Sequence, residues 1–156
     1  MNLINPVDLF IILLILLIVG FGLNNGFIIE LKKIVNLFLS LVFSKLIVQY
    51  IPINNYLGIT KSIVFLTLLI ILLFLIGFLL DLLIINLPNF KIDKYVDKLI
   101  ASLLSIIKAL LIISILLFIF DMSPIHGNLK ERVYSKASSK SISFQICKNI
   151  QEFFMY

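Results

Sequence analysis

The sequence predicts an all-α membrane protein, with four transmembrane helices arranged as two hairpins and a C-terminal amphipathic helix. Two observations lead there. The chain of 156 residues is 62% apolar and only 13% charged, with a mean hydropathy of +1.19. Soluble domains hold about 45–50% apolar and about 25% charged residues. Second, the apolar residues form continuous runs such as Leu9–Val19 and Ile63–Leu80, whereas a transmembrane β-barrel alternates apolar and polar positions. The net charge of +5 comes from residues between or after these runs. No clustered basic face on a soluble domain suggests nucleic-acid binding, so the basic flanks are read as contacts to lipid headgroups.

The expected layout is a transmembrane domain over residues 1–121, with spans at about 8–23, 30–51, 63–87 and 99–120. A polar, basic linker over 122–141 and an amphipathic tail over 142–156 complete it. The opening Met1–Pro6 lacks the basic start and small-residue cleavage site of a signal peptide, which favours a retained first span. Pro6 suits a first helical turn, and Asp8 suits the positive end of the helix dipole. Gly20 and Gly22 interrupt the run, and Asn24-Asn25-Gly26 makes a tight bend. The second span restarts at Phe27 with Glu30, Lys32 and Lys33 in its first turns. It is the weakest of the four, because Asn36, Ser40, Ser44, Lys45 and Gln49 dilute it.

Pro52–Gly58 is a second loop, and the span after it is the most apolar stretch, with Gly77 and Asp81 in its second half. Pro88 ends that helix. A mixed-charge loop carrying Lys91, Asp93, Lys94, Asp97 and Lys98 leads into the last span. There Ala101, Ser105 and Ala109 recur every fourth position, which places small residues on one helix face and allows a second helix to approach closely in lipid. Gly20 is expected to pack in the same way. Lys108 sits near mid-span beside that face. An ammonium at such depth costs about 2.5–3.5 kcal/mol unless it snorkels or finds an acid, and Glu30 is the favoured partner over Asp81. In the tail, Ile142, Ile146, Ile150, Phe153 and Phe154 share one side opposite Ser143, Gln145, Asn149 and Glu152, as for a helix lying on a membrane.

Four spans put both termini on one side. Which side stays open, since Lys32, Lys33, Lys91, Lys94 and Lys98 nearly balance Lys61, Lys130, Arg132, Lys136 and Lys140. The single Cys147 excludes an internal disulfide or a CxxC pair, and His126 has no acid or cysteine close by in sequence. No metal, cofactor or catalytic constellation is expected, and an enzyme is not.

The anchors Asp8, Gly20, Gly26, Phe27, Glu30, Asp97, Lys108 and Asp121 together resemble the colicin V production (CvpA) family of small bacterial inner-membrane proteins. The resemblance runs from about Val7 to Phe154. This chain departs from the family pattern with Asn25-Gly26 where Arg-Gly is usual, Lys108-Ala109 where Arg-Gly is usual, and Ala101 and Ser105 in place of glycines. Lysine cannot form the planar fork of arginine, which removes any bidentate role at those places. The resemblance implies a multi-pass protein of the bacterial cytoplasmic membrane. It would act as a non-catalytic accessory in production or export of a colicin V-type toxin and in envelope maintenance. The lipid bilayer, further copies of the chain or other membrane proteins would be its partners. The alternative is a small transporter or channel component in which Glu30, Asp81 and Lys108 line a path, and a pore-forming toxin or holin is a more distant third.

Overall fold

The computed structural model describes residues 6–50, 58–84, 93–122 and 141–155, and every element among them is a helix. These are α1 (Pro6–Asn25), α2 (Phe27–Tyr50), α3 (Gly58–Ile84), α4 (Lys94–Met122) and α5 (Ile142–Met155). The expected second loop up to Leu57, the first part of the third loop including Lys91, His126 and nearly all of the basic linker lie outside the described residues.

Three helices are long and apolar enough to cross a membrane, through Asp8–Asn25, Lys61–Leu83 and Lys94–Met122. The helix α2 has the length of a span but is not among them; Glu30, Lys32, Lys33, Asn36, Lys45 and Gln49 dilute its apolar surface. The last span begins at Lys94, earlier than the apolar run alone suggests. The Asp97 amide donates to the Asp93 carbonyl at 2.9 Å, so Asp97 stands in the first turn of α4, where an acid meets the positive end of the helix dipole.

Gly26 separates α1 from α2 with φ of 77°, the left-handed region where a side chain is strained. A Cβ there would also stand 3.0 Å from Asp97 Oδ2. Gly26→Ala is therefore expected to cost about 1–2 kcal/mol, read as a lower unfolding midpoint in detergent. Gly20→Ala is the control, because a Cβ at position 20 meets nothing within 4 Å. Equal midpoints for the two variants would show that the bend tolerates a side chain.

The helix α4 organises the packing. It lies along α1 and along α2, whereas α1 and α2 touch each other little despite being neighbours in sequence. The helix α3 packs on α2, and α5 lies across α4 and reaches α1 and α2. One apolar cluster joins Leu37 and Leu41 of α2, Phe65 and Leu69 of α3, Leu111 and Phe118 of α4, and Phe154 of α5. Phe65 and Phe118 meet edge to face with ring centroids 5.5 Å apart. A second cluster joins Ile11, Ile113, Phe144 and Cys147. Outside these clusters the surface is strongly apolar, with Phe21 71% and Phe74 79% exposed. Contiguous apolar surface of this kind requires lipid or protein cover.

The tail docks by a stripe that only partly coincides with the expected one: Phe154 and Ile150 pack against the core as expected. It buries Phe144, Cys147, Gln151 and Phe154 and leaves Ile142, Ile146 and Phe153 exposed. Two apolar stripes run along α5. The buried one carries the groups that bond to α4: the Cys147 carbonyl accepts from Ser114 Oγ at 2.9 Å, and Gln151 Nε2 donates to Asp121 Oδ2 at 2.7 Å.

Candidate functional site: a buried carboxylate cluster

At the end of the bundle that holds the Gly26 bend, Glu30 is completely buried. Its place follows from its neighbours. Gly26 reverses the chain, and the Glu30 amide closes the first turn of α2 onto the Gly26 carbonyl at 3.2 Å. Gly22 lacks a side chain where α4 passes against α1, with Ser105 filling the space a Cβ would need. Ala101, Ser105 and Ala109 are all fully buried along that face of α4. Small residues on both helices thus bring α4 near enough for its polar groups to reach across to α2.

Four donors converge on the Glu30 carboxylate. Asn25 Nδ2 donates to Oε1 at 2.7 Å and Lys33 Nζ to the same oxygen at 3.2 Å. Ser105 Oγ donates to Oε2 at 3.0 Å, and Lys108 Nζ completes the set as an ion pair to Oε2. A carboxylate has two oxygens and about four lone-pair sites, so this one is saturated. Close to it, Asp97 Oδ1 accepts from the Phe27 amide at 2.9 Å and caps the start of α2. One cluster therefore fastens α1, α2 and α4 together. Lys33 is its contact with the outside, since its side chain is 44% exposed.

The remaining expected positions fall elsewhere. Asp81 pairs with Lys32 of α2, not with Lys108, and its side chain is largely exposed. Asp8 accepts from Ser141 and Ser143, which fastens the start of α1 to the start of α5. Gly20 does not pack against a helix: it is exposed, and a Cβ on it would enter open space. Gly22, two residues on and so on the other side of the helix, takes the packing role. Nothing in the spacing separates the two glycines, because α1 is apolar on nearly every side. Asn36 also went unrecognised. Its Nδ2 donates to the Leu73 carbonyl at 3.1 Å, in a space left by Gly77. That contact joins α2 to α3 inside otherwise apolar surface.

No group of three or more histidine, cysteine or acidic side chains that could hold a metal ion occurs among the described residues. Cys147 is buried, and burial pushes its thiol up to about 11, away from a reactive thiolate. Chemically, a carboxylate with every lone pair engaged is suited to holding helices together, with no acceptor left for a substrate. A family model described as Colicin V production protein matches residues 7–152, nearly the whole chain. No match is found among curated proteins or solved structures.

Proposed function

The chain belongs to the colicin V production protein family, and from that membership we propose a non-catalytic accessory role in the bacterial cytoplasmic membrane, serving toxin production or export and envelope maintenance. On this reading α2 is the fourth crossing, so that two hairpins put both termini on one side. What supports the crossing of α2 is that its most polar groups are engaged: Glu30 in the buried cluster and Asn36 on the Leu73 carbonyl inside the bundle, and Lys32 on Asp81 at its surface. Polar groups in lipid need such partners. Lys45 near the far end of α2 can snorkel toward headgroups. Exposed side chains such as Phe21 and Phe74 then face acyl chains, or a second copy of the chain or another membrane protein.

The observation that carries the accessory reading is the saturation of Glu30 by four donors. Intramembrane charges mark transport paths by default, but a charge held by bonds on every side acts as a fastener. A transporter reading in which Glu30, Asp81 and Lys108 line a path draws on one observation, the exposure of Lys33 beside the buried acid. Cysteine accessibility separates the two. With Cys147→Ser as background, Asn25→Cys, Lys108→Cys and Ser138→Cys are labelled in membranes with an impermeant maleimide. A protected position 108 is the expected result. Labelling at 108 would mean that water reaches that depth and would replace the accessory reading with transport. The side on which 138 reacts fixes the orientation.

A further inference from the structure

A cavity of about 150 Å³ opens between the end of α2, the start of α3 and the end of α5. Its polar lining is Lys45, Gln49, Lys61 and Ser62, and Phe65 and Phe154 are among its apolar side chains. Among the described residues no acid lines it, so two lysines face one small space without a carboxylate between them. Lys45 is held there: its Nζ donates to the Phe153 carbonyl and stands 5.5 Å from the centre of the Phe153 ring. An ammonium has three donors, which leaves Lys45 with donors to spare. Lys61 has no ion-pair or hydrogen-bond partner among the described residues. It sits near the start of α3, where the helix dipole also favours an anion.

Depth identifies the class of anion. The apolar stretch of α3 begins at Lys61, that of α1 begins at Asp8, and that of α4 ends at Met122. Asp8, Asp121 and Lys45 are all bonded to α5, so these boundaries gather at one end of the bundle. The cavity thus lies where hydrocarbon gives way to headgroups, with a polar wall beside an apolar floor. We propose that it is a binding site for the phosphate of one anionic phospholipid, held by Lys45 and Lys61, with an acyl chain against the exposed ring of Phe153.

The test uses the full chain in nanodiscs of phosphatidylcholine containing a minor fraction of phosphatidylglycerol, with native mass spectrometry counting the lipid retained on release. One phosphatidylglycerol per chain is expected on the wild type. Lys61→Gln is expected to weaken retention about fivefold, as one basic residue contributes at an anionic surface. Lys98→Gln removes the same charge at the other end of the bundle and should leave retention unchanged. Because Lys45→Gln disturbs the seating of α5, it serves only as a second variant, interpreted if its unfolding midpoint matches the wild type. Three results would overturn the proposal: equal loss in Lys61→Gln and Lys98→Gln, equal retention of phosphatidylcholine, or displacement of the lipid by millimolar inorganic phosphate. The last would make the cavity a site for free phosphate.

Discussion

Glu30→Ala is expected to lower the unfolding free energy by about 3–5 kcal/mol, the usual cost of leaving one member of a buried ion pair alone. Lys108 is the group left behind. Its side chain is only 12% exposed, so water does not replace the lost carboxylate, and Ser105 and Asn25 lose an acceptor at the same moment. Lys108→Met is expected to cost a comparable amount, because Glu30 is completely buried and is left with Lys33 and two neutral donors. The double variant Glu30→Ala with Lys108→Met removes both charges. It should recover a substantial part of the single losses. Unfolding in mixed detergent micelles measures all four species. A double variant no better than the worse single would show that the two residues do not act as a pair.

The second large effect is steric. A Cβ at Gly22 overlaps the Ser105 hydroxyl outright and stands 2.7 Å from the Ser105 Cβ. Rotating the serine relieves the first contact and not the second, so α1 and α4 have to move apart. Gly22→Ala is expected to cost about 1–3 kcal/mol, or more if the cluster opens. The separation would also draw Ser105 and Lys108 off Glu30, which links the steric change to the electrostatic one. Exchanging the small residues, Gly22→Ala with Ser105→Gly, removes the overlap at the price of one hydrogen bond and should restore part of the stability. An unfolding midpoint for Gly22→Ala equal to that of Gly20→Ala would contradict the close approach.

Much of this was legible in the sequence. Apolar runs longer than a soluble core needs marked the helices, and Asn25-Gly26 marked the bend that Gly26 makes with its positive φ. A lysine inside an apolar run has few ways to be neutralised, so Lys108 named its own class of partner before any geometry was known. What could not be read was which surfaces meet. Apolar periodicity fails when a helix is apolar on all sides, as α1 nearly is, and Gly20 and Gly22 then look equivalent. It also fails when a helix has two apolar stripes. In α5 Phe144 and Cys147 join Phe154 in the buried stripe in place of Ile142, Ile146 and Phe153, and that side lets Gln151 reach Asp121. The helix starts shifted for a simpler reason: charged residues such as Asp97 look like loop in a hydropathy profile and serve as first-turn residues in a helix.

The central position of α4 has a consequence for how the protein is made. Glu30 leaves the ribosome 78 residues before the lysine that neutralises it. At roughly 5–20 residues per second, that is a delay of about 4–16 s. During that interval α2 is a marginally apolar segment whose acid lacks its donors from α4, while α3 is completed beside it. Insertion of the early half is therefore provisional until the late half arrives. A nascent chain stopped before Leu99 should be open to proteolysis at α2, whereas a chain that includes α4 should be protected there. The same ordering ties the burial of Glu30 to the arrival of α4, since only a chain that includes Lys108 can pair that charge across the bundle.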